Sequence, residues 1–142
     1  MGILFVTFAA PSDDMAAEVI HWSAGPDVGF PEKGIDLLPS AQSAILGVDL
    51  ITWFAELPDD TKDQHPSPLA LVDEGEMVVD RVPTVARDAL AETAVGEPSP
   101  EAADILNDLA DLEDLRKDNQ ELLDLAVFAV KKGWQLYYWV SV

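Results

Sequence analysis

The sequence predicts one α+β domain spanning residues 1–142, a mainly antiparallel sheet of about four strands (3–10, 69–73, 76–82 and 134–142) covered by four to six helices. Three observations carry this prediction. Both ends of the chain are short apolar runs of strand type. The interior holds segments whose apolar residues recur at three- and four-residue spacing. Hydrophobic residues make up 49% of the chain, and the mean hydropathy is +0.09, so a core can form despite the charge. At 142 residues the length matches a single domain, which buries roughly 68% of the surface its unfolded chain exposes.

Ile3 to Ala10 is apolar except at Thr7, the pattern of a buried strand. Pro11 and Ser12 end it. Ser12 is a helix N-cap, with Asp13 and Asp14 in the positive first turn of a helix running to about His21. Gly25, Pro26, Gly29 and Pro31 make the next stretch a loop. Ser40 then reads as the cap of a helix whose stripe is Leu46, Leu50, Trp53, Phe54 and Leu57, weakened by about 1 kcal/mol at Gly47. Residues 58–68 form a polar loop blocked by prolines. Leu69 to Val72 and Met77 to Val82 flank a Gly-containing turn and predict a hairpin.

Pro83 suits the start of a helix with Val85, Ala86, Ala89 and Leu90 facing inward, and Gly96-Glu97-Pro98 ends it. Ser99-Pro100-Glu101 opens the next helix. Leu106, Leu109, Leu112 and Leu115 are spaced strictly by three, which turns the stripe by roughly 60° at each step and predicts a bend or break near Leu112 to Lys117 unless both faces are covered. Asp118 and Glu121 stand at capping-box spacing before Leu122, Leu123, Ala126, Val127, Ala129 and Val130. Lys131, Lys132 and Gly133 are the exit of that helix. In the closing strand, Trp134, Leu136, Tyr138, Val140 and Val142 share one face, and Gln135, Tyr137, Trp139 and Ser141 the other. The first and last strands, being the most apolar, are expected at the centre of the sheet.

The 27 Asp+Glu residues against 8 Lys+Arg give a net charge of −19. That surface repels polyphosphates and anionic lipid, so nucleic acid and membrane are excluded as expected ligands, and basic proteins or cations remain. With no cysteine there is no thiolate nucleophile, zinc-thiolate site or disulfide, which suits a reducing compartment. No Lys or Arg precedes Lys33, so the cationic start of a signal peptide is absent, and no apolar run approaches the roughly 20 residues of a membrane span. The expected location is cytoplasmic.

Asp59, Asp60, Asp63 and His65 are the one cluster with metal-ligand chemistry, suited to Mg²⁺, Mn²⁺ or Zn²⁺, although their spacing matches no EF-hand or zincin. The bland alternative is a solvated acidic loop. His21 sits at a predicted helix end, where an imidazole bonds a free carbonyl. Ser67 near His65 forms no nucleophile elbow, and Gly25 to Gly29 is neither a dinucleotide nor a Walker loop. No cofactor is expected. Asp108, Asp111 and Asp114 lie on acidic helix faces that imitate a phosphate track for a basic protein, or serve only solubility. Tyr137 and Trp139 share a face with Gln135 and Ser141 and are the aromatic candidates for partner contact.

Phe8 to Asp13 (FAAPSD), Lys33 to Asp36 and Leu136 to Val140 (LYYWV), together with the Met-Gly start, resemble a family of small acidic actinobacterial proteins. A more distant likeness, to the YfbM-type bacterial proteins, lies in the Met-Gly start and the helix-then-strand ending. The resemblance implies a cytoplasmic bacterial protein and transfers no catalytic residue. Two functions are carried forward: a non-enzymatic protein-binding module, such as an immunity- or antitoxin-like inhibitor of a basic partner, and a metal-dependent enzyme or small-molecule binder using Asp59 to His65. A solvated loop predicts no calorimetric binding heat with Mg²⁺, Mn²⁺ or Zn²⁺; saturable heat that disappears in His65→Ala selects the metal-dependent alternative.

Overall fold

The two apolar ends of the chain pair with each other. Leu4–Ala10 (β1) and Gln135–Ser141 (β5) run antiparallel in a ladder from Leu4↔Ser141 to Ala10↔Gln135. The computed structural model describes residues 4–19, 38–41, 50, 52–53, 70–72, 77–107 and 112–141. Around the β1–β5 pair lie Ser40–Ala41 (β2), Ala70–Val72 (β3) and Met77–Arg81 (β4), giving a five-stranded sheet of order β2-β1-β5-β4-β3 with every neighbouring pair antiparallel. The expected hairpin is β3–β4, and the terminal strands are internal to the sheet, with β5 at its centre. The helices are Asp13–Glu18 (α1), Thr84–Val95 (α2), Pro100–Asn107 (α3), Leu112–Asp118 (α4) and Gln120–Lys132 (α5). The fold is α+β, as the sequence predicts.

The two-residue period of a strand assigns the side chains to two cores. On one face Ala9, Leu136 and Val82, flanked by Phe5 and Tyr138, pack against α2, α3, α4 and α5. On the other, Val6, Phe8, Ala10, Val79, Tyr137 and Trp139 pack with Ala16 and Val19 of the α1 segment and with Leu38. Because both faces are covered, β1 and β5 are apolar on successive residues instead of alternating. Aromatic rings lock the register from both sides: Phe5 stacks on Tyr138 with centroids 5.7 Å apart, and Phe8 on Tyr137 at 5.6 Å.

The helix boundaries follow local chemistry. Ser12 Oγ accepts from the Met15 amide at 3.1 Å, opening α1. Ser99 Oγ does the same for Ala102 at 3.3 Å, opening α3. Gly133 takes the left-handed conformation at φ 72°, and with Lys131 and Lys132 in the last turn it closes α5. Leu50 and Trp53 are helical and buried in the larger core, where Trp53 Nε1 donates to the Ile105 carbonyl at 3.0 Å.

Three expectations are corrected. Ser40 does not cap a helix at this point: with Ala41 it pairs against Phe8 and Thr7, satisfying backbone groups on the outer edge of β1. The bend or break expected near Leu112 to Lys117 does not fall inside that stretch, since α4 runs unbroken from Leu112 to Asp118. Leu106 and Leu115, half a turn apart on any one straight helix, are both buried in the larger core. Finally, Asp118 is not the cap of α5. That position is Asn119, buried, with Nδ2 reaching back to the Asp114 carbonyl at 3.4 Å; a neutral amide is desolvated there at less cost than a carboxylate.

Phe8→Ala, at a fully buried position stacked on Tyr137, should destabilise the fold by roughly 3–5 kcal/mol in urea denaturation. Gly133→Ala meets no neighbouring atom, so only the positive φ opposes it, and a loss of about 1 kcal/mol is expected.

Candidate functional site

Among the described residues, two polar clusters lie against the sheet. On the α1 face, the Ser12 cap sets Asp13 at the first position of α1, and the β4–β5 register places Arg81 opposite Tyr137. Tyr137 Oη donates to Asp13 Oδ1 at 2.6 Å, and Arg81 Nη1 lies 3.3 Å from Asp13 Oδ2 and 3.5 Å from Oδ1. Such charge-assisted bonds are among the stronger ones in a protein. Tyr137 has no exposed surface, so a substrate cannot reach its hydroxyl, and the cluster acts as a clasp between α1, β4 and β5.

On the helical face, Thr7, Tyr138 and Asp80 stand side by side across β1, β5 and β4. Tyr138 Oη donates to Asp80 Oδ2 at 3.4 Å, and Asp80 Oδ1 accepts from the Arg81 amide at 2.8 Å. Burial, reinforced by the Asp80 charge and their hydrogen bond, pushes the Tyr138 hydroxyl far above the usual phenol range.

Among the described residues a further candidate is the outer surface of the helices. Glu101, Asp104, Glu113, Asp114, Asp118, Glu121 and Asp124 are all exposed. Among the described residues no group of three or more His, Cys, Asp or Glu side chains is placed to hold a metal. The cations of this region are partly engaged: Arg87 donates to the Trp134 carbonyl at 2.7 Å and pairs with Asp88 at 2.8 Å, while Arg116 donates to the Gly96 carbonyl at 2.8 Å and reaches Glu97 at 3.5 Å. Between α2 and α5 runs a groove of about 600 Å³ lined by Ala91, Val95, Val127 and Val130, with Arg87, Asp88, Glu92 and Lys131 around it.

The candidates named from the sequence divide three ways. Asp114 is exposed on α4, in keeping with a surface role. Tyr137 and Trp139 are 0% and 3% exposed and belong to the smaller core, so neither presents a side chain to a partner; the face they share with Gln135 and Ser141 is packed against α1. Asp108, Asp111, Asp59, Asp60, Asp63, His65, His21 and Ser67 lie outside the described residues. Sequence reasoning missed Val95 and Val130. The available signal was the width of the apolar run from Leu122 to Val130, which exceeds what one helix face can bury.

No family model, no curated protein and no solved structure matches the chain. Among the described residues no helix is long and apolar enough to cross a membrane.

Tyr137→Phe, which removes a hydrogen bond to a carboxylate, should cost about 1.5–3 kcal/mol in urea denaturation with an unchanged m value. For Tyr138 the sign with pH is set by its raised pKa. Above pH of about 10 the unfolded phenol gives up a proton that the folded one keeps, so its stabilising contribution is complete below that pH and declines above it. Urea midpoints measured from about pH 8 to about pH 11 should fall less steeply in Tyr138→Phe than in the parent.

Proposed function

We propose that this protein is a non-enzymatic, cytoplasmic binding module that engages a basic protein through the outer faces of α3, α4 and α5, in the manner of an immunity- or antitoxin-like inhibitor. The observation that carries this reading is the disposition of the carboxylates: exposed, separate and strung along consecutive helices, on a chain of net charge −19. Such an array focuses a negative field toward solvent, which accelerates the approach of a cationic partner and selects against anionic ones. The side chains of the two clusters against the sheet bond one another between elements, which supports a structural role for them. Asp114 is the exposed representative of the acidic stripe to which Asp108 and Asp111 belong by sequence. The resemblance of the terminal motifs to the acidic actinobacterial proteins supports a bacterial cytoplasmic setting.

Capture experiments with the tagged protein at about 0.05 M and about 0.5 M salt test the proposal. The expected result is a basic protein retained at low salt, weakened at high salt and lost when Glu113→Lys, Asp114→Lys and Asp118→Lys are combined. Retention indifferent to both salt and charge reversal, or no basic protein at all, overturns it.

A further inference from the structure

We infer that the groove between α2 and α5 seats an amphipathic helix of the basic partner, its apolar stripe resting on the valines and its cations turned toward Glu92 and Asp124. This rests on the proposed function and specifies its contact. Val95 and Val130 are 76% and 43% exposed, and they are the large hydrophobics left exposed among the described residues. Both line the same groove, with Ala91 and Val127 between them. Apolar side chains converging on a trough between two helices match the mode in which a guest helix inserts anchors at i, i+3 or i+4, and i+7.

The charges around the trough differ from end to end. Arg87, in the first turn of α2, reaches the Trp134 carbonyl just beyond α5, while Arg116, close before α5, reaches the Thr93 and Gly96 carbonyls where α2 ends. The two helices therefore run antiparallel. Lys131 marks one end of the groove, where the Arg87 guanidinium is already held by a carbonyl and by Asp88. Toward the other end stand Glu92 and, one turn before Val127 on α5, Asp124, both exposed. An incoming helix is thus offered apolar contact along its stripe and carboxylates on its flank. A second copy of this chain is disfavoured as the occupant, since it would bring two bodies of −19 together.

The test uses the full chain and a labelled peptide of about 14 Leu and Lys residues, long enough for nearly four helical turns. Its leucines are at helical spacing; a scrambled peptide of equal composition lacks the stripe. Fluorescence anisotropy should show the striped peptide binding at least about tenfold tighter than the scrambled one. Val130→Asp and Val95→Asp should each weaken the striped peptide by about tenfold. Both substitutions add negative charge, so a purely electrostatic contact would tighten instead. If the two peptides bind equally and neither substitution matters, the groove is not the seat, although the basic-partner proposal survives. If neither peptide binds, both fall. A dimer of the parent protein in sedimentation that becomes monomeric in Val130→Asp assigns the groove to a second copy and overturns the inference.

Discussion

The structure depends on the β1–β5 ladder. It joins the two ends of the chain through pairs from Leu4↔Ser141 to Ala10↔Gln135, and every other strand is added outside that pair. Closing so long a loop is entropically unfavourable, and what offsets it is burial on both faces at once. Register follows from the same arrangement: a slip of one residue would move Phe8 and Tyr137 out of one core and carry Ala9 and Leu136 out of the other. The stacked pairs Phe8–Tyr137 and Phe5–Tyr138 hold the alignment from opposite faces.

A sheet buried on both sides must also satisfy its few polar side chains. Asp13, Arg81 and Tyr137 do so on one face, and Asp80 with Tyr138 on the other. These are the side chains that a search for catalytic chemistry would seize upon, and their arrangement shows them spent on architecture. The Asp13 carboxylate completes the α1 clasp, and Asp80 binds the adjacent Arg81 amide while holding the Tyr138 hydroxyl.

The surface separates its charges. Carboxylates occupy the exposed faces of α3, α4 and α5, whereas several cations sit where backbone carbonyls end a helix: Lys131 and Lys132 at the end of α5, Arg116 against the Gly96 carbonyl after α2. Cations used in this way stabilise helix termini and leave the broad faces acidic. The groove between α2 and α5 adds exposed apolar surface, Val95 and Val130, beside those charges.

Much of the fold was legible in the residues. The continuous apolar ends predicted central strands, Ser12 and Ser99 predicted helix starts, and Gly133 with its two lysines predicted a stop, because each of these signals acts over a few residues. The exclusion of thiol chemistry and the acidic field were likewise set by composition alone. Tertiary structure decided what depends on distant neighbours. Ser40 became part of an edge strand because β1 offered an open edge, and Asn119 displaced Asp118 as a cap because the site is buried. Tyr137 and Trp139 passed from candidate contacts to core because their face is packed with Ala16, Val19 and Leu38, while Val95 and Val130 stay exposed along a groove between α2 and α5. Periodicity states which residues share a face; only packing states whether that face is covered.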